Sequence, residues 1–130
     1  MSGSPPAARI LVGDDETQIC SLVRDVLQSA GYAIDVARDG VEFLERYTAG
    51  NHALLLLDTL LRSTSGMEVV MKLRDRGDAI PIILLSGPGQ ESAGMEAFAF
   101  TYRVDVLRKP FGVDDLRAAV RRALGDPHPD

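Results

Sequence analysis

Short apolar runs alternate with amphipathic segments along the chain, five times over from residue 9 onward. The apolar runs predict strands at residues 9–13, 32–37, 53–58, 80–86 and 104–108. The third run contains four consecutive leucines and is apolar on both faces, which is typical of a strand in the interior of a parallel sheet. Regular alternation of strands with helices predicts an α/β fold with a parallel sheet flanked by helices.

The amphipathic segments predict five helices. In the first, apolar residues recur at helical spacing and stop near Gly31; they are Ile19, Leu22, Val23, Val26 and Leu27. Further helices are predicted at residues 41–47, 66–76, 90–100 and 113–124. Ser65 followed three residues later by Glu68 predicts a capping box at the start of the third helix.

The length of 130 residues fits one domain with a single sizeable core. Hydrophobic residues make up 45% and charged residues 25% of the chain, close to average globular usage, so neither disorder nor a fibrous repeat is indicated. We expect residues 1–8 to form a flexible leader, residues 9–124 the domain, and residues 125–130 a flexible tail or the remnant of a linker.

The charge and cysteine content exclude several classes of function. A net charge of -5 argues against direct binding of nucleic acid or of an anionic membrane surface. No apolar run approaches the ~20 residues that a membrane-spanning helix needs, so membrane insertion is not expected. The single cysteine, Cys20, cannot form an intramolecular disulfide, which suits a reducing compartment, and we therefore expect a cytoplasmic protein.

Polar side chains follow or end four of the predicted strands. Asp14 and Asp15 follow the first strand, Asp58 ends the third, Ser86 ends the fourth, and Lys109 follows the fifth. In an open parallel sheet, ligands bind beyond the carboxyl ends of the strands. The sequence therefore predicts that these five side chains meet at one edge of the sheet.

This set of residues indicates phosphoryl transfer to an aspartate. Three carboxylates in one place repel each other unless a divalent cation neutralises them, and Mg²⁺ prefers one or two carboxylates together with water and phosphate oxygens. Asp58 would then be the nucleophile, while Lys109 and the Ser86 hydroxyl bind the remaining phosphoryl oxygens. Taken singly, each residue is more simply a helix cap, a turn residue or a surface charge; their shared placement favours the functional interpretation.

Four ordered motifs resemble the receiver domains of two-component response regulators, the CheY-like family. They are Ile10-Leu-Val-Gly-Asp-Asp-Glu16, Leu54-Leu-Leu-Leu-Asp58, Pro81-Ile-Ile-Leu-Leu-Ser86 and Arg108-Lys-Pro-Phe111. The resemblance runs from about Arg9 to Leu124. It implies a doubly wound, flavodoxin-like sheet of five parallel strands in the order 2-1-3-4-5, flanked by five helices. In this family the peptide bond before the residue equivalent to Pro110 is usually cis, so the resemblance implies a cis bond there.

The resemblance also implies how the site works. Asp15 and Asp58 would ligate Mg²⁺ directly, Asp14 mostly through water, and the backbone carbonyl of Leu60 would complete the protein ligands. The phosphoryl donor would be a phosphohistidine on a sensor histidine kinase or a phosphotransfer protein, and a downstream protein would read the phosphorylated form. Such a domain catalyses its own phosphorylation and dephosphorylation and is not a turnover enzyme.

Two departures from the family pattern keep alternatives open. Arg62 stands where a proline is common, and Val106 replaces the usual switch aromatic three residues before the lysine. One alternative is therefore a pseudo-receiver, a phosphorylation-independent interaction domain. A separate alternative is a metal-dependent phosphatase or phosphotransferase like the haloacid dehalogenases. Those enzymes carry a second acid two residues after the nucleophile, and Leu60 at that position in this chain counts heavily against this alternative.

Overall fold

The computed structural model describes residues 8–47, 51–88 and 93–125. Apart from Ala8 and Gly125, the expected leader and tail lie outside the described residues. Within the described part, strands and helices alternate five times, as the hydrophobic pattern predicts. The strands are β1 (Arg9–Gly13), β2 (Ala33–Ala37), β3 (Leu54–Asp58), β4 (Ile82–Ser86) and β5 (Asp105–Arg108). The helices are α1 (Thr17–Ser29), α2 (Gly40–Arg46), α3 (Gly66–Asp75), α4 (Ala93–Tyr102) and α5 (Val113–Leu124).

The five strands form one parallel sheet in the order β2-β1-β3-β4-β5, which confirms the predicted topology. The bounds of β1 and α5 agree with the prediction, whereas β2 to β5 begin one or two residues later than their apolar runs. Helix α4 continues to Tyr102, beyond the predicted end at residue 100, and its predicted start at Gln90 lies outside the described residues.

The leucines of β3 divide the core into two layers. Leu54 and Leu56 pack with residues of α1 and α5 on one face of the sheet. Leu55 and Leu57 pack with residues of α2, α3 and α4 on the other face. All four side chains are fully buried, because helices cover both faces of the central strand. This packing fixes the end of β3, and with it the position of Asp58.

The start of α3 holds the loop that follows Asp58. Ser65 and Glu68 form the predicted capping box: the Ser65 side chain accepts from the Glu68 amide at 3.2 Å, and the Glu68 side chain accepts from the Ser65 amide at 3.3 Å. The Gly66 amide donates to the Thr59 carbonyl at 3.1 Å, and a Cβ at position 66 would collide with the Asp58 carbonyl oxygen. Only glycine permits this close approach, so the loop after the strand is tied directly to the helix.

The peptide bond between Lys109 and Pro110 is cis, as the resemblance implied. Among the described helices, none is long and apolar enough to cross a bilayer.

Candidate functional site

The carboxyl-terminal edge of the sheet brings together acidic side chains from two strand ends. Asp14 follows β1, and its side chain is fully buried; its backbone amide donates to the Ala37 carbonyl at 3.2 Å, which extends the pairing of β1 with β2. Asp58 ends β3 and is 5% exposed. Burying two carboxylates in one place is costly unless a cation accompanies them.

Lys109 provides that cation. Its Nζ lies 2.9 Å from Asp14 Oδ2, 3.4 Å from Asp58 Oδ2 and 3.4 Å from Glu16 Oε1. The lysine backbone amide donates to the Ser86 carbonyl at 2.7 Å, so the residue is fixed to the end of β4. One ammonium thus faces three carboxylates, and the cluster keeps an excess of negative charge that suits a divalent cation.

Asp58 is poorly stabilised as an anion. Burial raises the pKa of its carboxyl group, and the negative charge of Asp14 raises it further; the Leu60 amide and Lys109 oppose this shift. The Leu60 amide donates to Asp58 Oδ1 at 3.1 Å, while Asp58 Oδ2 faces Lys109. The carboxylate is therefore oriented by one contact to each oxygen, with its charge only partly compensated.

Asp15 lies at the same edge but outside the tightest group of carboxylates. Oxygens of Asp14, Glu16 and Asp58 all lie within 4.8 Å of one another, and this group could hold a metal ion. The Asp15 carboxylate is 3.7 Å from the Arg62 guanidinium instead. Asp15 nevertheless lines a cavity of about 440 Å³ together with Glu16, Asp58, Leu60, Gly87, Pro88 and Lys109.

Glu16 belongs to the acidic cluster, although the sequence pattern did not predict it as a site residue. Its side chain is 59% exposed, yet its carboxylate reaches Lys109. Its amide donates to Asp14 Oδ1 at 2.9 Å, so the turn after β1 directs both acids towards the same lysine. Its position directly after Asp14 and Asp15 could have indicated that Glu16 lies near the site.

Ser86 is fully buried at the end of β4. Among the residues that the structure describes, its Oγ atom has no hydrogen-bond partner. Ser86 does not line the acidic cavity, whereas the next residue, Gly87, does. The structure thus places the Ser86 backbone at the predicted edge and leaves its hydroxyl group uncommitted.

Comparison with known proteins identifies the family of this chain. The sequence model of one protein family, described as the response regulator receiver domain, matches residues 10–121 of this chain. The chain is 36% identical over 125 residues to the response regulator MprA of Mycobacterium leprae, and this match covers 94% of the chain and 53% of that protein. The chain belongs to the response regulator receiver domain family and spans about half the length of the curated relatives it matches.

Solved structures show the same fold. The chemotaxis protein CheY4 of Vibrio cholerae aligns with a TM-score of 0.81 and 26% identity, covering 91% of this chain and 99% of that one. A receiver domain from Francisella aligns with a TM-score of 0.81 and 25% identity, covering 90% and 96%. The CheY-like, flavodoxin-like architecture expected from the motifs is thus confirmed.

The raised pKa of Asp58 predicts a pH-dependent effect on stability. Because the folded state binds this proton more tightly than the unfolded state, the wild type loses stability as pH rises from the unfolded pKa of about 3.9 through the folded value. Asp58→Asn removes this loss. We expect the variant to be more stable than the wild type at pH 7, without divalent cations, and the gain to disappear as pH falls below the unfolded pKa.

Urea unfolding at a series of pH values measures this difference. Asp105→Asn, on the exposed start of β5, is the matched control and should change stability little. A destabilised Asp58→Asn at pH 7 would show that the carboxylate stabilises the fold.

Proposed function

We propose that this domain accepts a phosphoryl group on Asp58 within a two-component or phosphorelay system. The observation that carries the proposal is the buried Asp58 carboxylate 3.4 Å from Lys109, in a cluster where acids outnumber the ammonium group. The donor is a phosphohistidine on a sensor histidine kinase or a histidine phosphotransfer protein. A downstream protein then binds the phosphorylated form, in the cytoplasm and without direct contact to nucleic acid or membrane.

The residues present fit Mg²⁺ as the cofactor. Carboxylate oxygens are the ligands that this hard cation prefers, and the excess of acid over ammonium favours a divalent ion. Asp15, Asp58 and the backbone carbonyl of Leu60 would hold the ion directly, since these three residues line one cavity, and Asp14 would contact it through water. When bound, Mg²⁺ neutralises charge on the carboxylates and on the transferring group.

The protein's own groups supply the nucleophile and bind oxygens of the phosphoryl group. A carboxylate oxygen of Asp58 attacks phosphorus, and the imidazole of the donor histidine leaves. The Lys109 ammonium then exchanges part of its contact with Asp58 for an oxygen of the phosphoryl group, and the Ser86 hydroxyl donates to another. Water later hydrolyses the aspartyl phosphate, so the domain resets itself and is not a turnover enzyme.

The two alternatives have less support. A pseudo-receiver would not need to keep all of the predicted polar residues, yet Lys109 contacts both Asp14 and Asp58. A phosphatase of the haloacid dehalogenase type needs a second acid two residues after the nucleophile. Leu60 occupies that position with an aliphatic side chain that is 65% exposed.

Phosphorylation itself can be measured by intact-protein mass. We expect incubation with a small-molecule phosphodonor and Mg²⁺ to add one phosphoryl group to the wild type, because Asp58 is positioned to attack. Asp58→Asn should gain none, and Asp105→Asn should behave as the wild type. A gain by Asp58→Asn equal to that of the wild type would contradict the assignment, as would no gain by the wild type even with a phosphorylated cognate donor.

A matched pair of variants tests which acids bind Mg²⁺. We expect Asp15→Asn to weaken Mg²⁺ binding at least about tenfold, since it removes a direct ligand. Glu16→Gln should weaken it less than about threefold, because this exposed carboxylate contacts Lys109 and is not assigned as a ligand. The Mg²⁺-dependent rise in melting temperature reports both affinities; the reverse order of effects would assign the metal to Glu16.

A further inference from the structure

The Arg62 guanidinium contacts an acid that the proposed function assigns to Mg²⁺. Its Nε atom lies 3.7 Å from Asp15 Oδ2. Asp15 also lines the cavity of about 440 Å³ at the acidic edge of the sheet, whereas Arg62 does not belong to the described wall of that cavity. The Asp15 carboxylate therefore lies between the arginine on one side and the space available to an ion on the other.

The loop backbone at Arg62 is held in place from two directions. The preceding residue, Leu61, is buried in the core layer on the side of α2, α3 and α4. The Arg62 carbonyl accepts a hydrogen bond from the Gly40 amide at 3.0 Å. The hydroxyl of the next residue, Ser63, accepts one from the Val41 amide at 3.2 Å. Because the core and the first turn of α2 both hold this loop, the arginine side chain extends from a fixed point beside the acidic edge.

The ion pair between Arg62 and Asp15 is weak enough for a divalent ion to displace it. The two side chains are 83% and 30% exposed, and their separation of 3.7 Å is longer than a hydrogen bond. Exposed pairs of this kind contribute little to stability, because water screens both charges. A divalent ion carries twice the charge of the guanidinium and contacts several oxygens at once. The long, exposed arginine side chain can turn into solvent when the ion binds.

We propose that Arg62 competes with Mg²⁺ for the Asp15 carboxylate and thereby lowers the affinity of the site for the ion. This inference rests on the proposed function, in which Asp15 is a direct ligand of Mg²⁺. The guanidinium group of arginine stays positively charged in proteins, so it both occupies the carboxylate and repels a nearby divalent cation. The proline that is common at this position in the family carries no charge. The competition is therefore a property of the arginine in this chain.

The competition has a reciprocal consequence. Mg²⁺ displaces the guanidinium from Asp15, and an anion that holds the guanidinium elsewhere releases Asp15 and favours Mg²⁺ binding. Salt screens exposed ion pairs, so the competition diminishes as the ionic strength rises. The difference in Mg²⁺ affinity between the wild type and a variant without the arginine is therefore expected to narrow in high salt.

The test is a titration of the ¹⁵N-labelled, unphosphorylated protein with MgCl₂ at constant ionic strength, followed by NMR at the amides of Asp15 and Leu60. We expect Arg62→Gln to bind Mg²⁺ about two- to fivefold more tightly than the wild type. Arg38→Gln is the matched control, because it removes the same charge directly after β2, where the Arg38 guanidinium contacts the Thr17 hydroxyl at 3.4 Å. This control should change the affinity by less than about 1.5-fold.

A second arm tests whether Arg62 acts through Asp15. In the Asp15→Asn background, Arg62→Gln should change the Mg²⁺ affinity by less than about 1.5-fold, because no carboxylate remains for the guanidinium to occupy. An equal gain in both backgrounds, or an equal gain from Arg38→Gln, would overturn the proposal by showing that only net charge matters.

The affinity of the wild type separates this inference from the proposed function. If the wild type binds Mg²⁺ and Arg62→Gln binds it equally or more weakly, the competition is wrong while the assigned cofactor stands. If neither protein binds Mg²⁺, the assigned cofactor is wrong and the competition is overturned with it.

Discussion

The contact between the Lys109 ammonium and the carboxylates of Asp14 and Asp58 is the interaction on which the site depends. It joins the ends of β1, β3 and β5 at one edge of the sheet, where two buried acids would otherwise repel each other. Leaving such a charge buried without a partner typically costs about 3–5 kcal/mol. A single ammonium group compensates only part of the carboxylate charge, so the cluster still favours binding of a divalent cation.

The fold could be predicted from the sequence because its strongest signals are local. The four leucines of β3 identify a central strand, and Ser65 with Glu68 identifies the start of α3; both are confirmed. The strand starts were less predictable. Ile80 belongs to the apolar run, yet β4 begins at Ile82, because pairing with β3 sets where the strand starts. The hydrophobic pattern of one segment does not contain the register of that pairing.

The site could be predicted only as far as the backbone determines it. Strand ends predict five side chains at one edge, and the structure brings Lys109 into contact with two of the other four, Asp14 and Asp58. The Asp15 carboxylate faces Arg62 instead. Side-chain directions were not predictable. Glu16 contacts Lys109, and the Ser86 hydroxyl has no partner among the described residues. Neither could be predicted, because both depend on neighbours that are distant in sequence. The roles of Asp15 and Leu60 in binding Mg²⁺ stay predictions.

A double-mutant cycle between Asp14 and Lys109 tests most directly whether this ion pair holds the site together. The unfolding free energies of Asp14→Asn, Lys109→Met and the double variant are compared with that of the wild type, all without divalent cations. We expect Lys109→Met to lower the free energy of unfolding of the wild type by about 3–5 kcal/mol. In the Asp14→Asn background, the same substitution should lower it by at least about 1 kcal/mol less. Equal costs in both backgrounds would mean that the two residues do not interact, and would contradict the account.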